Sequence, residues 1–599
     1  MKTFRQYWEE ICKNETQRRA VESEQNTVVI AGPGSGKTRI VSTKAALLHL
    51  QERGVACISF GNPTEQRIRD QLLDMGIREH ESLYVGTVHG FCLQYILRPF
   101  INIVDSDWQS DFSIASMDYQ VPEMLNKAKD QMKYSGRMNQ QNLQRLQRMI
   151  TANEVVNNTL DIRLVKHYEK LMLEEKLADF EMMIRWSVNA VDRYQVVKSY
   201  LQHHFEWIII DEYQDLGGGL HYLAKLLIRK VGMKLLAVGD PNQLIFEFNG
   251  SDKKYLAELA SPASGLQFQV LQTEICYRFG AKLIAASAGA LGKYNLPYTP
   301  DPTIVKTDGD IELYRGEGTR EVNQLTDFIA DTLLPDLFKS YEIDDRIAIL
   351  YPRGGQIVDE LRKSLQKANY KFADERDSRL PGSPTINWLR KCADWVLAYR
   401  DKNTRILNLF PELVHEYEIM MRDAGYSYDQ ENDPAYLENH LLNTLKESLT
   451  HELDALEWLR AMLSRLKLMR ILEISGNKKG DLRDLTEIEA QISGLSLGEI
   501  GHTALDQRIV LTTIHSSKGQ EYDCVVLIGA QEGELPWRNR TSHTSFKNRM
   551  YVACTRAKKA LSIVYADNLH IYTAYNEWEH FPPSPYLKSI RQSLKKSGF

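Results

Sequence analysis

The sequence predicts an α/β fold: two parallel-sheet cores, each interrupted by a mainly helical insertion. Three features of the chain predict it. Short apolar runs end in small or charged residues, as buried strands of parallel sheets do. The runs fall into two groups, one before about residue 275 and one after about residue 300. Inside each group lies a long stretch without strand pattern, about 95–200 in the first and about 376–505 in the second.

Thr27–Ala31 opens the first group and is followed by Val55–Phe60, Trp207–Ile210 and Lys234–Val238. Arg346–Leu350, Arg508–Ile514, Cys524–Gly529 and Ala560–Tyr565 make up the second. Their β-branched content and their separation by helical stretches read as strands joined through crossovers, hence parallel. The first insertion is polar and helix-like, as in Asn142–Ile150 and Tyr168–Ile184. The second carries Leu442, Leu445, Leu449, Leu453, Leu456, Leu459 and Leu463. That 3–4 spacing is the apolar stripe of an amphipathic helix, expected to face a helical core and not a zipper partner.

Length and composition exclude whole classes without naming an activity. A chain of 599 residues holds several domains. Apolar residues at 43%, charged residues at 26%, and only 35 Gly and 19 Pro describe an ordinary globular protein, neither disordered nor fibrous. The opening MKTFRQYWEE lacks the apolar centre of a secretory signal. No apolar run approaches the ~18–20 residues that span a bilayer. The 7 cysteines are odd in number, scattered and never spaced Cys-x-x-Cys. A reducing, cytoplasmic setting is therefore expected, with neither a disulfide framework nor a zinc or iron–sulfur site. The formal net charge of −5 gives no sign of a nucleic-acid partner.

The chemistry begins at Ala31-Gly32-Pro33-Gly34-Ser35-Gly36-Lys37-Thr38, between a strand and a helix-like run. Glycines let backbone N–H groups close around phosphate oxygens at a helix N-terminus. Lys37 would reach the β/γ-phosphates of ATP, and the Thr38 hydroxyl would bind Mg²⁺. The strict pattern has Gly where this chain has Ala31. In Trp207-Ile-Ile-Ile-Asp211-Glu212-Tyr213-Gln214-Asp215, two adjacent carboxylates follow a strand, at the edge where parallel sheets bind ligands. Asp211 would hold Mg²⁺ through water, and Glu212 would orient and deprotonate the attacking water. Phosphoryl transfer also needs positive charge at the γ-phosphate, which Arg278 and Arg556 offer from the second group of strands. Their placement suggests a cleft between two α/β cores that closes for hydrolysis.

With these residues in place, the chain resembles the UvrD/Rep/PcrA family of superfamily 1 DNA helicases. The resemblance rests on Gln17 in NETQRRAV, AGPGSGKTR (31–39), SFGNPTEQ (59–66), GTVHGFC (86–92) and LADFEMM (177–183). It continues through DEYQD (211–215), GDPNQLIFEFNG (239–250), CYRF (276–279), TTIHSSKGQEYD (512–523) and YVACTRAKKAL (551–561). It implies two RecA-like motor domains, 1–94 with 186–275 and 276–375 with 506–599, and helical insertions at 95–185 and 376–505. By position, Gln17 and Arg39 would contact the adenine end of ATP, Tyr277 would stack on the base and Glu521 would bind the ribose. Gln243 would sense the γ-phosphate and link it to the DNA groove. Phe60, Asn62, Thr87, His89, Phe246, Phe248 and His515 would line the DNA strand, where aromatic faces stack on bases of any sequence. Hydroxyl, amide and imidazole groups can meet phosphates without reading sequence. The implied activity is ATP-driven 3′-to-5′ movement on single-stranded and tailed duplex DNA, with strand separation.

Several positions depart from the family pattern. Phe246 and Phe248 stand where relatives usually carry Tyr and Trp, Asn249 replaces Arg, Pro63 replaces Lys and Cys276 replaces Asn. Gly217-Gly218-Gly219 follows the acidic motif, the second insertion is short, and no basic polymerase- or repair-docking tail is expected after Ser584-Pro585-Tyr586-Leu587. These changes leave ATP hydrolysis in place and motivate a second expectation. In it the chain is a DNA-stimulated ATPase subunit that senses DNA ends within a nuclease-linked complex, as in phage defence, and unwinds weakly alone. A scaffold without turnover conflicts with Glu212, Arg278 and Arg556 all being present.

Overall fold

The computed structural model describes residues 3–59, 62–77, 82–100, 112–115, 117, 120–247, 250–261, 265–316, 320–342, 344–374, 383–401, 407, 410–423, 436–450, 454–475, 485, 487–489, 491–493, 497–500, 508–535, 543–572 and 578–599. The chain divides into two compact units. The first is Met1–Tyr341 with Ile349–Ser364 and Thr513–Phe599, and the second is Glu342–Ala348 with Leu365–Thr512.

Six parallel strands form the first sheet: β1 (Thr27–Ile30), β2 (Val55–Ser59), β3 (Leu83–Thr87), β4 (Trp207–Ile210), β5 (Lys234–Gly239) and β6 (Gln269–Gln272). Their order is β3–β2–β4–β5–β1–β6. Val28 sits opposite Ala237, and Ile58 opposite Ile210, so the ends of β1, β2, β4 and β5 lie side by side. Every residue of Trp207–Ile210 is buried, which explains a run with no polar alternation. The helix Lys37–Leu50 packs on one face and the helix Gly218–Leu226 belongs to the core on the other.

The helix-like segment Tyr168–Ile184 spans parts of two helices, Thr159–Glu174 and Phe180–Arg193. Lys176 takes the left-handed conformation (φ 54°) and Leu177–Ala178 pairs with Ser113–Ile114. Asp179 then restarts the helix, its carboxylate accepting the Met182 N–H at 2.8 Å. The buried Asp179 also accepts from the Tyr168 hydroxyl (2.8 Å) and the Gln147 amide (3.1 Å), which explains an aspartate inside an apolar cluster.

Further along the first unit come β7 (Asp310–Gly316), the end of β8 (Ile347–Tyr351), β11 (Tyr522–Ile528) and β12 (Ala557–Ala566), in the order β7–β12–β11–β8. Leu313 lies opposite Ile563, and Val525 opposite Leu561, both in parallel register.

In the second unit β10 (Ile509–Thr513) lies between the start of β8 and β9 (Phe372–Asp374), with Ala373 opposite Val510. Its helices, among them Pro384–Asp401, Phe410–Asp423, Tyr436–Glu447 and Ala455–Arg465, share a core that includes Trp388, Tyr417, Leu441 and Trp458. The leucine stripe is not one helix. It breaks at the 3₁₀ turn Ser448–Thr450, and Asp454 caps the next helix by accepting the Leu456 and Glu457 N–H groups at 3.0 Å. Leu445 and Leu459 are buried while Leu442, Leu449, Leu456 and Leu463 pack against the same core. Leu453 lies outside the described residues.

Candidate active site

Every described residue of the site belongs to the first unit. The phosphate loop starts where β1 ends, tied to β5 by the Ala31 N–H donating to Gly239 O at 2.9 Å. Ala31 is fully buried, so its methyl group fills core space and the departure from Gly costs the loop nothing. Gly34 and Gly36 have φ of 71° and 85°, a conformation that strains any other residue. A Cβ on Gly34 would also fall 2.5 Å from Arg278 Cβ, and one on Gly32 2.6 Å from Tyr298 Cε1. The loop is cross-braced by Ser35 Oγ donating to Gly32 O (2.7 Å) and Tyr277 N–H donating to Gly34 O (2.7 Å). The unusual Cys276 fits here, its thiol 3.4 Å from Pro33 O.

Lys37 extends from the first helical turn to lie 3.5 Å from Ala31 O and 3.9 Å from Glu212 Oε1. Asp211 and Glu212 follow β4 and share one field. Burial and the Glu212 charge push Asp211 up to about 7, against the pull of Lys37, the Glu212 N–H and the Thr38 hydroxyl. Burial works on Glu212 in the same sense, but Lys37, Lys518, Gln214 and Arg556 outweigh it and hold Glu212 below the usual carboxylate range. Asp211 Oδ1 accepts the Glu212 N–H at 2.8 Å, whereas Oδ2 is buried without a hydrogen-bond partner among the described residues. A hard cation beside Thr38 would satisfy it, so the donor set fits Mg²⁺. No cluster of three His, Cys, Asp or Glu side chains suited to a metal occurs among the described residues. Such an ion would therefore lean on waters and phosphate oxygens, as Mg²⁺ does.

Glu212 holds φ 51°, a strained position for a side-chain-bearing residue. Gln214 Nε2 donates to Glu212 Oε2 (2.6 Å) and the Asp215 N–H to Glu212 O (2.9 Å), fixing it. From Gln214 a chain of hydrogen bonds runs onward. Its Oε1 accepts the Asp240 N–H (3.0 Å), Asp240 Oδ2 accepts from Gln243 Nε2 (2.9 Å), and Arg556 Nη2 donates to Gln243 Oε1 (3.3 Å). Tyr551, from the helix His543–Cys554, also donates to Asp240 Oδ2 (3.1 Å).

Arg556 is buried. Desolvation and the Arg278 charge lower its pKa to about 9 despite Glu212 and Glu521. Arg278 pairs with Glu521 at 2.6 Å and donates to Thr555 O at 3.1 Å. Burial raises Glu521, but Arg278, Lys558 and Arg67 bring it to about 2. Arg67 was missed in the sequence. It sits on the helix Asn62–Asp74, its pKa lowered by burial and facing Glu521, Arg278 and Glu212. Three guanidiniums and Lys37 thus converge on three carboxylates, Asp211, Glu212 and Glu521, a field that favours a polyanion.

At the other end, Asn14 caps its helix through the Gln17 N–H (3.0 Å) and donates from Nδ2 to the Tyr277 hydroxyl (2.9 Å). Gln17 is fully buried, and its Nε2 donates to Ser35 O at 2.7 Å. Its Oε1 has no partner among the described residues and would suit an amino group such as that of adenine. Arg39 stands 6.0 Å over the Tyr277 ring and pairs with Glu10 at 3.2 Å.

The expected DNA-lining residues are only partly brought together. Thr87 Oγ1 accepts the Gly90 N–H (3.2 Å), capping a one-turn helix. His89 packs 4.6 Å from the Phe180 ring, and burial lowers its pKa to about 4, so it is neutral at neutral pH. Phe246 and His515 face each other with ring centroids 6.0 Å apart. Phe60 and Phe248 lie outside the described residues, as does the Asn62 side chain at the start of its helix. Lys518 joins the two ends of the site. Its buried ammonium lies 2.6 Å from both Asp215 oxygens, 2.7 Å from Gln243 O and 5.0 Å from the Phe246 ring centroid. Nothing local marks Lys518, because its partner is 303 positions away in sequence. Behind the acidic motif, His221 Nδ1 bonds the Tyr213 hydroxyl (2.9 Å) and Nε2 bonds Glu258 (3.1 Å), a buried relay also unforeseen.

The chain is similar to known proteins over most of its length. The family model described as UvrD/REP helicase N-terminal domain matches residues 13–263. That described as UvrD-like helicase C-terminal domain matches 508–564. The ATP-dependent DNA helicase PcrA of Staphylococcus aureus (strain Mu50) is 25% identical over 649 residues, covering 97% of this chain and 86% of the relative. The ATP-dependent DNA helicase PcrA of Staphylococcus epidermidis (strain ATCC 12228) is 24% identical, covering 98% and 87%.

Proposed function

The chain belongs to the UvrD/REP helicase family and is an ATP-dependent DNA helicase; from that premise we propose that it travels 3′-to-5′ along single-stranded DNA. The polarity rests on the family resemblance; the observation that supports coupling of ATP to DNA is the contact path from Glu212 through Gln214, Asp240 and Gln243 to Arg556 on one side and Lys518 and Phe246 on the other. A change at the phosphate end has a physical route to the aromatic end.

The roles follow from position. Gln17 Oε1 and the Arg39–Tyr277 pair select and hold the base, and Lys37 meets the terminal phosphates. Thr38 and Asp211 would hold Mg²⁺, which supplies charge neutralisation on the phosphates. Glu212, kept ionised by its cationic neighbours, orients the attacking water and accepts its proton. Arg278 and Arg556 neutralise charge developing on the γ-phosphate. Gln243, bonded to both Asp240 and Arg556, reports that change toward Phe246 and His515. The motor domains are assigned to 1–94 with 186–275 and 276–375 with 506–599, with insertions at 95–185 and 376–505. Net movement requires that the two states of the cleft differ in affinity for DNA.

The test is ATP hydrolysis with and without single-stranded DNA, beside displacement from 3′-tailed and 5′-tailed duplexes. DNA stimulation and displacement from the 3′ tail are expected, with no turnover in Lys37→Ala and ATP held without turnover in Glu212→Gln. An ATPase indifferent to DNA would sink the motor reading, and preference for the 5′ tail would reverse the polarity. Asn249 and Pro63, where the family carries cations, favour a second reading as a DNA-stimulated subunit of a nuclease-linked complex. Strong stimulation without displacement would select it.

A further inference from the structure

A cavity of about 710 Å³ touches Tyr277 and Arg278, yet no residue of the phosphate loop, the acidic pair or the Gln17 helix lines it. Its volume falls within the range that encloses small organic ligands. Among its lining residues Arg278, Lys282, Lys306, Lys558 and Lys559 are cationic, against the carboxylates of Asp308 and Asp310. Asp310 accepts the Tyr341 hydroxyl at 2.7 Å. Lys306 reaches only Pro302 O at 3.3 Å, and the Lys282 ammonium has no hydrogen bond or ion pair among the described residues. The Lys282 N–H donates to Asp308 O at 3.0 Å, holding the 304–310 turn against the start of the helix Ala281–Ala290. Apolar surface is present too, since Ile304 is 55% exposed and Tyr341 contributes its ring.

Lysines together with the aromatic and aliphatic side chains of Tyr277, Tyr341 and Ile304 among the lining residues are the recognition elements of a phosphate joined to a flat ring. We infer that this cavity is a second nucleotide-binding site, adjoining the one that fuels the motor at Tyr277 and Arg278, and that it takes a nucleoside diphosphate or triphosphate through Lys282, Lys306 and Lys558. Lys558 already shares Glu521 with Arg278, at 3.7 Å and 2.6 Å. A bound phosphate that draws Lys558 away leaves Glu521 to Arg278 and Arg67, and Arg278 is then less available to the γ-phosphate. Occupancy therefore lowers kcat and leaves the KM for ATP unchanged. This regulatory consequence rests on the proposed role of Arg278, whereas the binding does not.

Calorimetry of the full chain with ADP tests the binding. Two binding events per chain are expected. The double variant Lys282→Glu/Lys306→Glu should weaken one by about tenfold or more, the loss of two charge-assisted contacts. Lys37→Ala should perturb the other. Lys306→Gln, at an exposed position that the fold does not need, should weaken the same event as the double variant. Inorganic pyrophosphate should fill this site less tightly than ADP, because the ring contacts are missing. A single event in the wild type, two events untouched by either lysine variant, or pyrophosphate binding as tightly as ADP each overturn the inference. Loss of turnover in Lys37→Ala is scored separately, so failure of the motor reading is distinguishable from failure of this site.

Discussion

Replacing Lys518 by Ala should disable the coupling between the acidic motif and the aromatic end, at a cost that depends on pH. The Lys518 side chain is 7% exposed and its partner Asp215 4% exposed. Deleting one partner of such a buried pair costs about 3–5 kcal/mol, chiefly through the uncompensated charge left behind. Asp215 can escape part of that cost by taking up a proton. Burial already raises it to about 6, with Lys518 the main opposing influence. Without Lys518 its pKa must rise further. The folded variant then binds one more proton than the folded wild type at every pH between about 6 and the new value. Stability of the variant relative to wild type therefore falls as pH rises, by about 1.4 kcal/mol per unit across that window. Below about pH 6 both folded states are protonated at Asp215 and the difference levels off. Hydrogen exchange of the amides around 213–216, at pH 6 and pH 8, measures the local opening free energy in both proteins. A penalty at pH 8 exceeding that at pH 6 by about 2 kcal/mol is expected, and Asp215→Asn should abolish the pH dependence. Equal penalties at the two pH values, or additive effects of Lys518→Ala and Asp215→Asn, would refute the argument.

Other outcomes follow from the same geometry. Because burial and the Glu212 charge raise Asp211 above the usual carboxylate range, protons and Mg²⁺ should compete for it. The half-saturating Mg²⁺ for ATP hydrolysis should rise as pH falls from 8 to 6, and excess Mg²⁺ should recover the rate; a Mg²⁺ requirement independent of pH would remove Asp211 from the metal site. Phe246→Ala should weaken single-strand binding by about 1–3 kcal/mol, as loss of a stacking face does, while basal hydrolysis persists. An equal loss in both assays would assign Phe246 to packing. Gln17→Ala should raise the KM for ATP about tenfold, the worth of a buried hydrogen bond, with little change for GTP, read in parallel steady-state assays. His221→Leu strands the Tyr213 hydroxyl and should cost about 1–3 kcal/mol in denaturant melts. It should slow turnover through the strained Glu212 beside it, and an unchanged kcat would separate the relay from the chemistry.

Much of the first sheet was legible because its central strands are buried on both faces and read as unbroken apolar runs. The strands that escaped reading lie at sheet edges. β3 and β6 flank the first sheet, and β7 and β9 each pair on one side only. β7 alternates in exposure and β6 has a single buried residue, Leu271, so neither reads as an unbroken apolar run, whereas β3 is buried from Leu83 to Gly86 and escaped reading despite that. Helix breaks were equally hidden. The spacing of Leu442 to Leu463 continues through Ser448–Thr450, and only the capping of the next helix by Asp454 shows where the backbone turns.

The sequence by itself determined the chemistry that is local in the chain. Glycines at positive φ, a lysine one residue into a helix and two carboxylates after a buried strand are each written within a few positions. Tertiary structure decided what depends on distance through space. It set the unequal ionisation of Asp211 and Glu212, the convergence of Arg67 with Arg278 and Arg556, and the grip of Lys518 on Asp215 and Gln243. The physical reason is that an electrostatic interaction grows as charges approach and water is excluded, and neither separation nor burial is recorded by position along the chain.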